Sequence, residues 1–182
     1  MSQPVYIIGI GDDGMSGLSA SAIERIRHAD LLIGSDQTLR QVSDSTAELL
    51  VVGTDFTEME SAIAENPQKK IVLLASGDPL FFGITRYLWD RLGKERFEVI
   101  PNVSTMQLAF ARVKESWDDA YLADLATGSL ERIIENIRLA NKVGLFTTQS
   151  MTPNDIAQAL LDRGLDYFST YVCENLGAPD ER

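Results

Sequence analysis

Short apolar runs alternate with amphipathic segments along most of this chain. Val5–Ile10 and Ile71–Ala75 are almost entirely apolar, which is typical of strands buried on both faces of a sheet. Helical patterns follow both runs, and parallel strands need such crossover connections. The succession therefore predicts α/β domains with mostly parallel sheets and right-handed crossovers. The predicted strands are 5–10, 30–34, 49–53, 71–75, 97–100, 120–125, 142–147 and 167–174, and the predicted helices are 18–28, 35–42, 58–65, 80–92, 104–113, 130–139 and 154–161.

The polar segment Lys114–Asp119 interrupts this alternation. We predict an N-terminal α/β domain over residues 1–113 and a C-terminal α/β domain over 118–182. The second domain has only about 65 residues, which is small for an independent core. Its last eight residues, 175–182, have a turn-like composition. We expect this second domain to be incomplete.

Charge and cysteine content restrict the class of protein. The net charge of −11 disfavours nucleic acid as the main ligand, and a polyanionic substrate would need a local cluster of the 16 Lys and Arg residues. Cys173 and His28 are the only cysteine and histidine, so no zinc site is expected. The lone cysteine forms no internal disulfide, and neither a signal peptide nor an apolar run of ~20 residues is present. We expect a cytoplasmic protein with no membrane partner.

The apolar run 71–75 breaks off into Ser76-Gly77-Asp78-Pro79. This loop follows the carboxyl end of a predicted parallel strand, which is where open α/β sheets bind ligands. Gly77 allows a ligand to approach the backbone closely. Asp78 is also suited to cap the next helix, with Pro79 in its first position. The residues alone leave two interpretations open, a ligand-binding loop and a capped turn.

Four stretches of the chain resemble the tetrapyrrole methylase family, in the family's own order and across nearly the whole length. The central one is Ser76-Gly77-Asp78-Pro79 with Gly83. Where the family has Gly-x-Gly-Pro-Gly-Asp, this chain opens with Gly9-Ile10-Gly11-Asp12-Asp13-Gly14, and where the family has Pro-Gly-x-Ser-Ser it has Pro101-Asn102-Val103-Ser104-Thr105. The fourth stretch combines 143–148 with 172–177, and it departs from the family's Tyr-Met-Gly at 146–148.

At the positions where this chain departs from the general family pattern, it resembles one subgroup, the C5-methyltransferases of the cobalamin pathway. These act on precorrin or cobalt-precorrin, and in some organisms they form the N-terminal half of a bifunctional precorrin-6Y methyltransferase. The other half methylates C15 and removes a carboxyl group. The resemblance implies that this chain is either such an N-terminal unit or a separate enzyme that works with a C15-methylating partner.

The resemblance also implies a cofactor, a site and a mode of assembly. The cofactor is S-adenosylmethionine, the ligand cleft lies between the two domains, and members of the family are commonly homodimers. No catalytic acid or base is implied, because a carbon nucleophile held in line with an activated sulfonium can react through positioning alone. The implied cofactor-binding residues are Ser76, Gly77, Asp78, Phe81, Ser104, Thr105 and Thr147, and the implied substrate site lies near Asp12 and Asp13. Arg112, together with Arg86 and Lys114, is a candidate for binding substrate carboxylates from its position in the sequence alone.

Two alternative functions stay open. A methylase of the same family could act on uroporphyrinogen, on a modified histidine or on ribosomal RNA. The negative charge weighs against RNA, and the Gly-Asp-Asp-Gly opening weighs against uroporphyrinogen. The second alternative is a non-catalytic α/β module, and binding of S-adenosylhomocysteine distinguishes it from a methylase.

Overall fold

The computed structural model describes residues 3–42, 45–53 and 55–182. Contacts group the chain into two compact units, Met1–Thr105 with Gly177–Asp180, and Met106–Leu176 with Glu181–Arg182. The predicted boundary between residues 113 and 118 stays a prediction. The strands are β1 Val5–Ile10, β2 Leu31–Gly34, β3 Glu48–Val51, β4 Ile71–Ser76, β5 Phe97–Ile100, β6 Tyr121–Asp124 and β7 Val143–Phe146. The α-helices are α1 Ala20–Arg27, α2 Asp36–Arg40, α3 Thr57–Glu65, α4 Thr85–Leu92, α5 Thr105–Val113, α6 Leu130–Ile137 and α7 Pro153–Leu161.

The first unit contains a five-stranded sheet in the order β3-β2-β4-β1-β5, and every neighbouring pair is parallel. This confirms the predicted α/β class. Side chains alternate between the two faces of the sheet. Ile7 and Leu73 pack under α3 and α4, whereas Ile8 and Leu74 pack under α1 and α2. Both faces of the central strands are therefore covered, which explains why the runs are almost wholly apolar.

The strand order creates a topological switch point at the carboxyl ends of β1 and β4. β1 and β4 are neighbours, yet the helices that follow them pack on opposite faces. The chain therefore leaves the carboxyl ends of the two strands in opposite directions. Such a switch point is where ligands bind in open α/β sheets.

Helix starts follow local capping signals. The hydroxyls of Ser19, Ser35 and Ser129 each accept a hydrogen bond from the backbone N–H three residues later, and Thr152 forms a capping box with Asp155. The described α-helices have five to nine residues. Among the described residues, no helix has the length and apolar character that crossing a lipid bilayer requires.

The second unit contains the parallel pair β6 and β7. Met106 and Phe110 of α5 lie against the backbone of Gly144 in β7. On α6, Ile133 and Ile137 pack with Ala123 of β6 in a small core. This amphipathic packing agrees with the predicted strand–helix–strand order over 120–147.

The predicted strand at 167–174 is wrong. The structure assigns no strand to these residues, and the side chains of Tyr167 and Tyr171 are largely exposed. Near its end, Glu174 exchanges a pair of backbone hydrogen bonds with Arg182. The alternation of side chains is typical of a strand, but a strand also needs a partner ladder, and the sequence pattern does not report one.

Candidate functional site

The carboxyl ends of β1, β4 and β5 meet at a contact between main-chain atoms. A Cβ atom placed on Gly9 would lie 1.9 Å from the carbonyl oxygen of Gly77 and 2.7 Å from the backbone nitrogen of Asn102. The N–H of Gly77 donates to the carbonyl of Ile10 at 2.9 Å. A side chain at position 9 has no room, so the three chain segments approach one another directly. We call this contact of Gly9, Gly77 and Asn102 the backbone junction.

Gly77 also brings the loop after β4 against the start of α5. Its φ of +61° is in the left-handed region, which glycine adopts without strain. A Cβ at Gly77 would lie 3.0 Å from the Cα of Ser104 and 3.4 Å from the nitrogen of Thr105. Ser76 and Thr105 are exposed, whereas Ser104 is only 5% exposed. Four of the predicted cofactor-binding residues thus lie at the junction in the first unit.

Asp78 does not cap the next helix, so that part of the prediction is wrong. Its Oδ1 accepts a hydrogen bond from the N–H of Leu80 at 2.9 Å and stabilises a local turn. Helix α4 begins only at Thr85, and the residue before it, Ile84, makes no side-chain capping bond. Phe82, with φ of +55°, interrupts the helical pattern that begins at residue 80. Residues 77–84 therefore form an irregular loop at the carboxyl ends of the parallel strands, where open α/β sheets bind ligands.

Two aromatic side chains belong to this loop. The ring centroids of Phe81 and Phe82 are 4.7 Å apart with the planes tilted by 59°. Phe82 is 46% exposed and Phe81 is half-buried. The loop thus offers an apolar surface next to the polar groups of Ser76 and Asp78, a combination common in small-molecule sites.

The loop after β1 holds both of its carboxylates in place. Asp12 accepts a hydrogen bond from the amide of Gln37 at 3.0 Å. The Asp13 carboxylate turns back over the loop, because a Cβ at Gly17 would lie 2.1 Å from its Oδ2. The hydroxyl of Ser16 donates to the Asp13 carbonyl at 2.5 Å. No sequence motif points to Gln37, because it lies 25 residues from Asp12.

Arg112, in the second unit, is held by a carboxylate. Its Nη2 donates to Glu181 Oε2 at 2.9 Å, and its Nε donates to Oε1 of the same group. These hydrogen bonds and the negative charge of Glu181 raise the pKa of Arg112 above its usual value. In the same unit Thr147 is exposed and directly follows β7. Both residues keep their predicted roles as predictions.

The first-unit site offers binding groups rather than acid–base chemistry. It presents two exposed hydroxyls, backbone amides, the carboxylate of Asp78 and two aromatic rings. Within the described ranges, no three His, Cys, Asp or Glu side chains gather as a metal site. The arrangement is suited to hold and orient a small ligand.

Comparison with known proteins gives a matching family and relatives that align over nearly all of this chain. The sequence model of the Tetrapyrrole (Corrin/Porphyrin) Methylases matches residues 4–182. The cobalt-precorrin-7 C(5)-methyltransferase of Salmonella typhimurium is 35% identical over 178 residues, which cover 97% of this chain and 87% of that protein. The decarboxylating precorrin-6Y C(5,15)-methyltransferase of a Sinorhizobium species is 29% identical over 188 residues, covering 100% of this chain and 44% of that protein.

Solved structures agree on the fold. A precorrin-6Y methylase from Archaeoglobus fulgidus superposes with a TM-score of 0.71 at 21% identity, covering 98% of this chain and 86% of that one. A uroporphyrin-III C-methyltransferase from Thermus thermophilus, solved with S-adenosylhomocysteine, gives 0.69 at 19% identity, covering 98% and 81%. At these identities the likeness shows the fold alone.

Proposed function

Because this chain belongs to the tetrapyrrole (corrin/porphyrin) methylase family, we propose that it is a C5-methyltransferase of cobalamin biosynthesis. The methyl donor is S-adenosylmethionine, and the acceptor is C5 of a precorrin or cobalt-precorrin. The observation that carries the proposal is 35% identity with a cobalt-precorrin-7 C(5)-methyltransferase over 97% of the chain. That match extends through the loops of the backbone junction.

The residues of the first unit fit the methyl donor. When bound, S-adenosylmethionine supplies an activated methyl group on a sulfonium. The hydroxyls of Ser76 and Thr105 and the carboxylate of Asp78 are suited to hydrogen bonds with hydroxyl and ammonium groups, and the ring of Phe81 is suited to an aromatic base. We propose these contacts together with Gly77, Ser104 and Thr147.

Positioning supplies most of the catalysis in this proposal. The acceptor carbon must be held about 3 Å from the methyl group and in line with the leaving sulfur. S-adenosylmethionine held by Ser76, Gly77 and Asp78 would supply the methyl group for the new C–C bond, and its sulfur would keep the electron pair of the C–S bond. The junction suits this task because main-chain contacts between Gly9, Gly77 and Asn102 leave little freedom for the loops to shift.

The family resemblance implies a substrate near Asp12 and Asp13, and Arg112 is a candidate for binding a substrate carboxylate from its position in the sequence. We propose Asp12, Asp13 and Arg112 for this role, and each already has a partner in its own loop or unit. The amide of Gln37 donates a hydrogen bond to Asp12, and the Asp13 carboxylate lies against the backbone of Gly17. Arg112 is paired with the carboxylate of Glu181. A substrate carboxylate would have to displace Glu181 in order to bind Arg112.

We also propose partners and a cellular location for this protein. We propose a homodimer in the cytoplasm that passes its product to a C15-methylating, decarboxylating unit on a separate or fused chain. The Sinorhizobium relative, of whose length this chain spans 44%, supports the fused form in some organisms.

Calorimetric titration with S-adenosylhomocysteine tests the cofactor, and methylation of cobalt-precorrin-7 or precorrin-6Y tests the substrate. We expect micromolar binding and a product heavier by one methyl group, located at C5 by NMR.

Gly77→Ala should abolish binding. Gly164→Ala is the matched control, because Gly164 has a similar φ of +69° but open space around its Cα. Failure of the unsubstituted chain to bind S-adenosylhomocysteine would favour the non-catalytic module.

A further inference from the structure

The carbonyl group of Pro79 makes two close contacts. The hydroxyl of Thr85 donates a hydrogen bond to this oxygen at 2.7 Å, and Thr85 is only 1% exposed. The backbone of Gly83 also lies so close that a Cβ there would be 2.3 Å from the same oxygen. Pro79 is itself buried. The first residue of α4 thus closes the loop that begins at the end of β4.

The first half of this loop is fixed by Asp78. Its side chain accepts the N–H of Leu80, and its carbonyl accepts the N–H of Phe81 at 3.0 Å. The second half of the loop contains Phe82, whose left-handed φ of +55° must be maintained by surrounding contacts. The hydrogen bond from Thr85 to Pro79 spans this residue and is such a contact. Loss of either contact should let the loop change shape.

Removal of the Thr85 hydroxyl would leave a buried carbonyl without the partner that the structure gives it. An unsatisfied buried acceptor is costly, so the loop would open until the Pro79 oxygen reached water. Residues 77–81 lie at the amino end of the same loop and would move with it. The Thr85 side chain itself points to Pro79 and not into the proposed ligand groups.

We propose that Thr85 is a positioning residue, which fixes the shape of the cofactor-binding loop 77–81 through the Pro79 carbonyl. The inference rests on the proposed function for its link to the cofactor. The sequence does not point to Thr85, because the predicted helix 80–92 places this residue in a helix interior, whereas α4 begins at Thr85. Here the hydroxyl instead bonds backward over six residues.

The test compares Thr85→Val with Thr85→Ser. Valine keeps the shape and removes the hydroxyl, whereas serine keeps the hydroxyl. We expect Thr85→Val to raise the dissociation constant of S-adenosylhomocysteine about 10-fold and Thr85→Ser to stay within about twofold of the unsubstituted protein. Hydrogen exchange at the amides of Leu80 and Phe81 should accelerate in Thr85→Val without any ligand.

Thr38→Val is the matched control. Thr38 is also buried, at 4% exposure, and its hydroxyl donates to the carbonyl of Ser35 at 3.1 Å, away from this loop. The control should lower the unfolding temperature but leave the dissociation constant unchanged. If Thr85→Val does not fold, Gly83→Ala gives a second test. The new Cβ would displace the Pro79 oxygen and should therefore also weaken the binding of S-adenosylhomocysteine.

Unchanged affinity and unchanged exchange in Thr85→Val would overturn the inference. So would equal losses of affinity in Thr85→Val and Thr38→Val, because the effect would then be general destabilisation. If the unsubstituted protein does not bind S-adenosylhomocysteine, the proposed function fails instead. The exchange rates of Leu80 and Phe81 then still decide whether Thr85 fixes the loop.

Discussion

The backbone of Gly9 lies directly against the carbonyl oxygen of Gly77, with no space for a Cβ atom between them. The two residues come from the ends of neighbouring parallel strands, where Gly9 pairs in register with Ala75. Contact between main-chain atoms at this point fixes the loop after β4 relative to the end of β1. Alteration of either glycine should therefore affect the site and the sheet together.

Gly9→Ala should destabilise the protein and abolish binding of S-adenosylhomocysteine. The new Cβ would lie 1.9 Å from the Gly77 oxygen, so the strands must separate at a cost of about 3 kcal/mol or more. Urea unfolding and calorimetry measure the two effects. Gly53→Ala is the control, because a Cβ there meets no atom within 4 Å, and it should change the stability by less than about 1 kcal/mol. Normal ligand binding by Gly9→Ala would contradict the close approach.

Lys114→Gly should stabilise the protein by about 0.5–1 kcal/mol. Lys114 ends α5 at φ of +60°, with its own N–H bonded to Ala111 and the next N–H bonded to Phe110. This is the helix C-terminal motif that normally contains glycine. Urea unfolding measures the gain. Lys114→Ala removes the charge but keeps the Cβ, so an equal gain in that variant would argue against backbone strain as the cause.

Glu181→Gln should lower the KM for the tetrapyrrole substrate about two- to fivefold, if Arg112 binds a substrate carboxylate. The neutral amide competes less well for the guanidinium, whereas Arg112→Gln should raise the KM. Steady-state kinetics measure both, and the affinity for S-adenosylhomocysteine should stay constant. Glu174→Gln breaks another exposed pair, with Arg182, and serves as the control. An unchanged KM in both Glu181→Gln and Arg112→Gln would remove Arg112 from the substrate site.

Asp155→Asn should reduce the loss of stability that the protein shows as the pH falls below neutral. Hydrogen bonds from the Thr152 hydroxyl and backbone lower the pKa of Asp155 below its usual value. The ionised group therefore stabilises the fold above its unfolded pKa of about 3.9, and this contribution is lost as the pH falls through the lower folded pKa. Thermal unfolding between pH 7 and pH 3 measures the slope.

Ser129→Ala is the control for this titration. Ser129 caps α6 through its hydroxyl and has no carboxylate partner in the cap. The substitution should lower the unfolding temperature by a similar amount at every pH. A wild-type acid slope in Asp155→Asn would show that the capping box does not contribute to it.

The sequence predicts the sheet of the first unit because its central strands β1, β2 and β4 are buried on both faces. Continuous apolar runs such as Val5–Ile10 are hard to mistake, and their order restricts the topology. The start of α4 was placed five residues too early, since an Asp before a Pro is equally suited to a helix cap and to a local turn. The strand at 167–174 was wrong because a strand depends on a partner that its own residues do not specify.

The family motifs located the loops of the site but not the residues that hold them. Gln37 bonds to Asp12 across 25 residues, and Thr85, the first residue of α4, bonds back to Pro79 over six residues. Neither contact follows a spacing rule, because the first depends on how two separate loops pack and the second on the irregular shape of residues 77–84. Such supporting contacts require coordinates.

A junction made of main-chain atoms restricts the side chains at positions 9 and 77 but not those farther along the loops. The loop after β4 also touches the loop after β5, because a Cβ at Gly77 would lie 3.0 Å from the Cα of Ser104, so these two loops cannot change independently at that point. In the proposed function, a substrate contact such as Asp12 can change while the main-chain contact between Gly9 and Gly77 stays the same. This arrangement separates the evolution of specificity from the evolution of the scaffold.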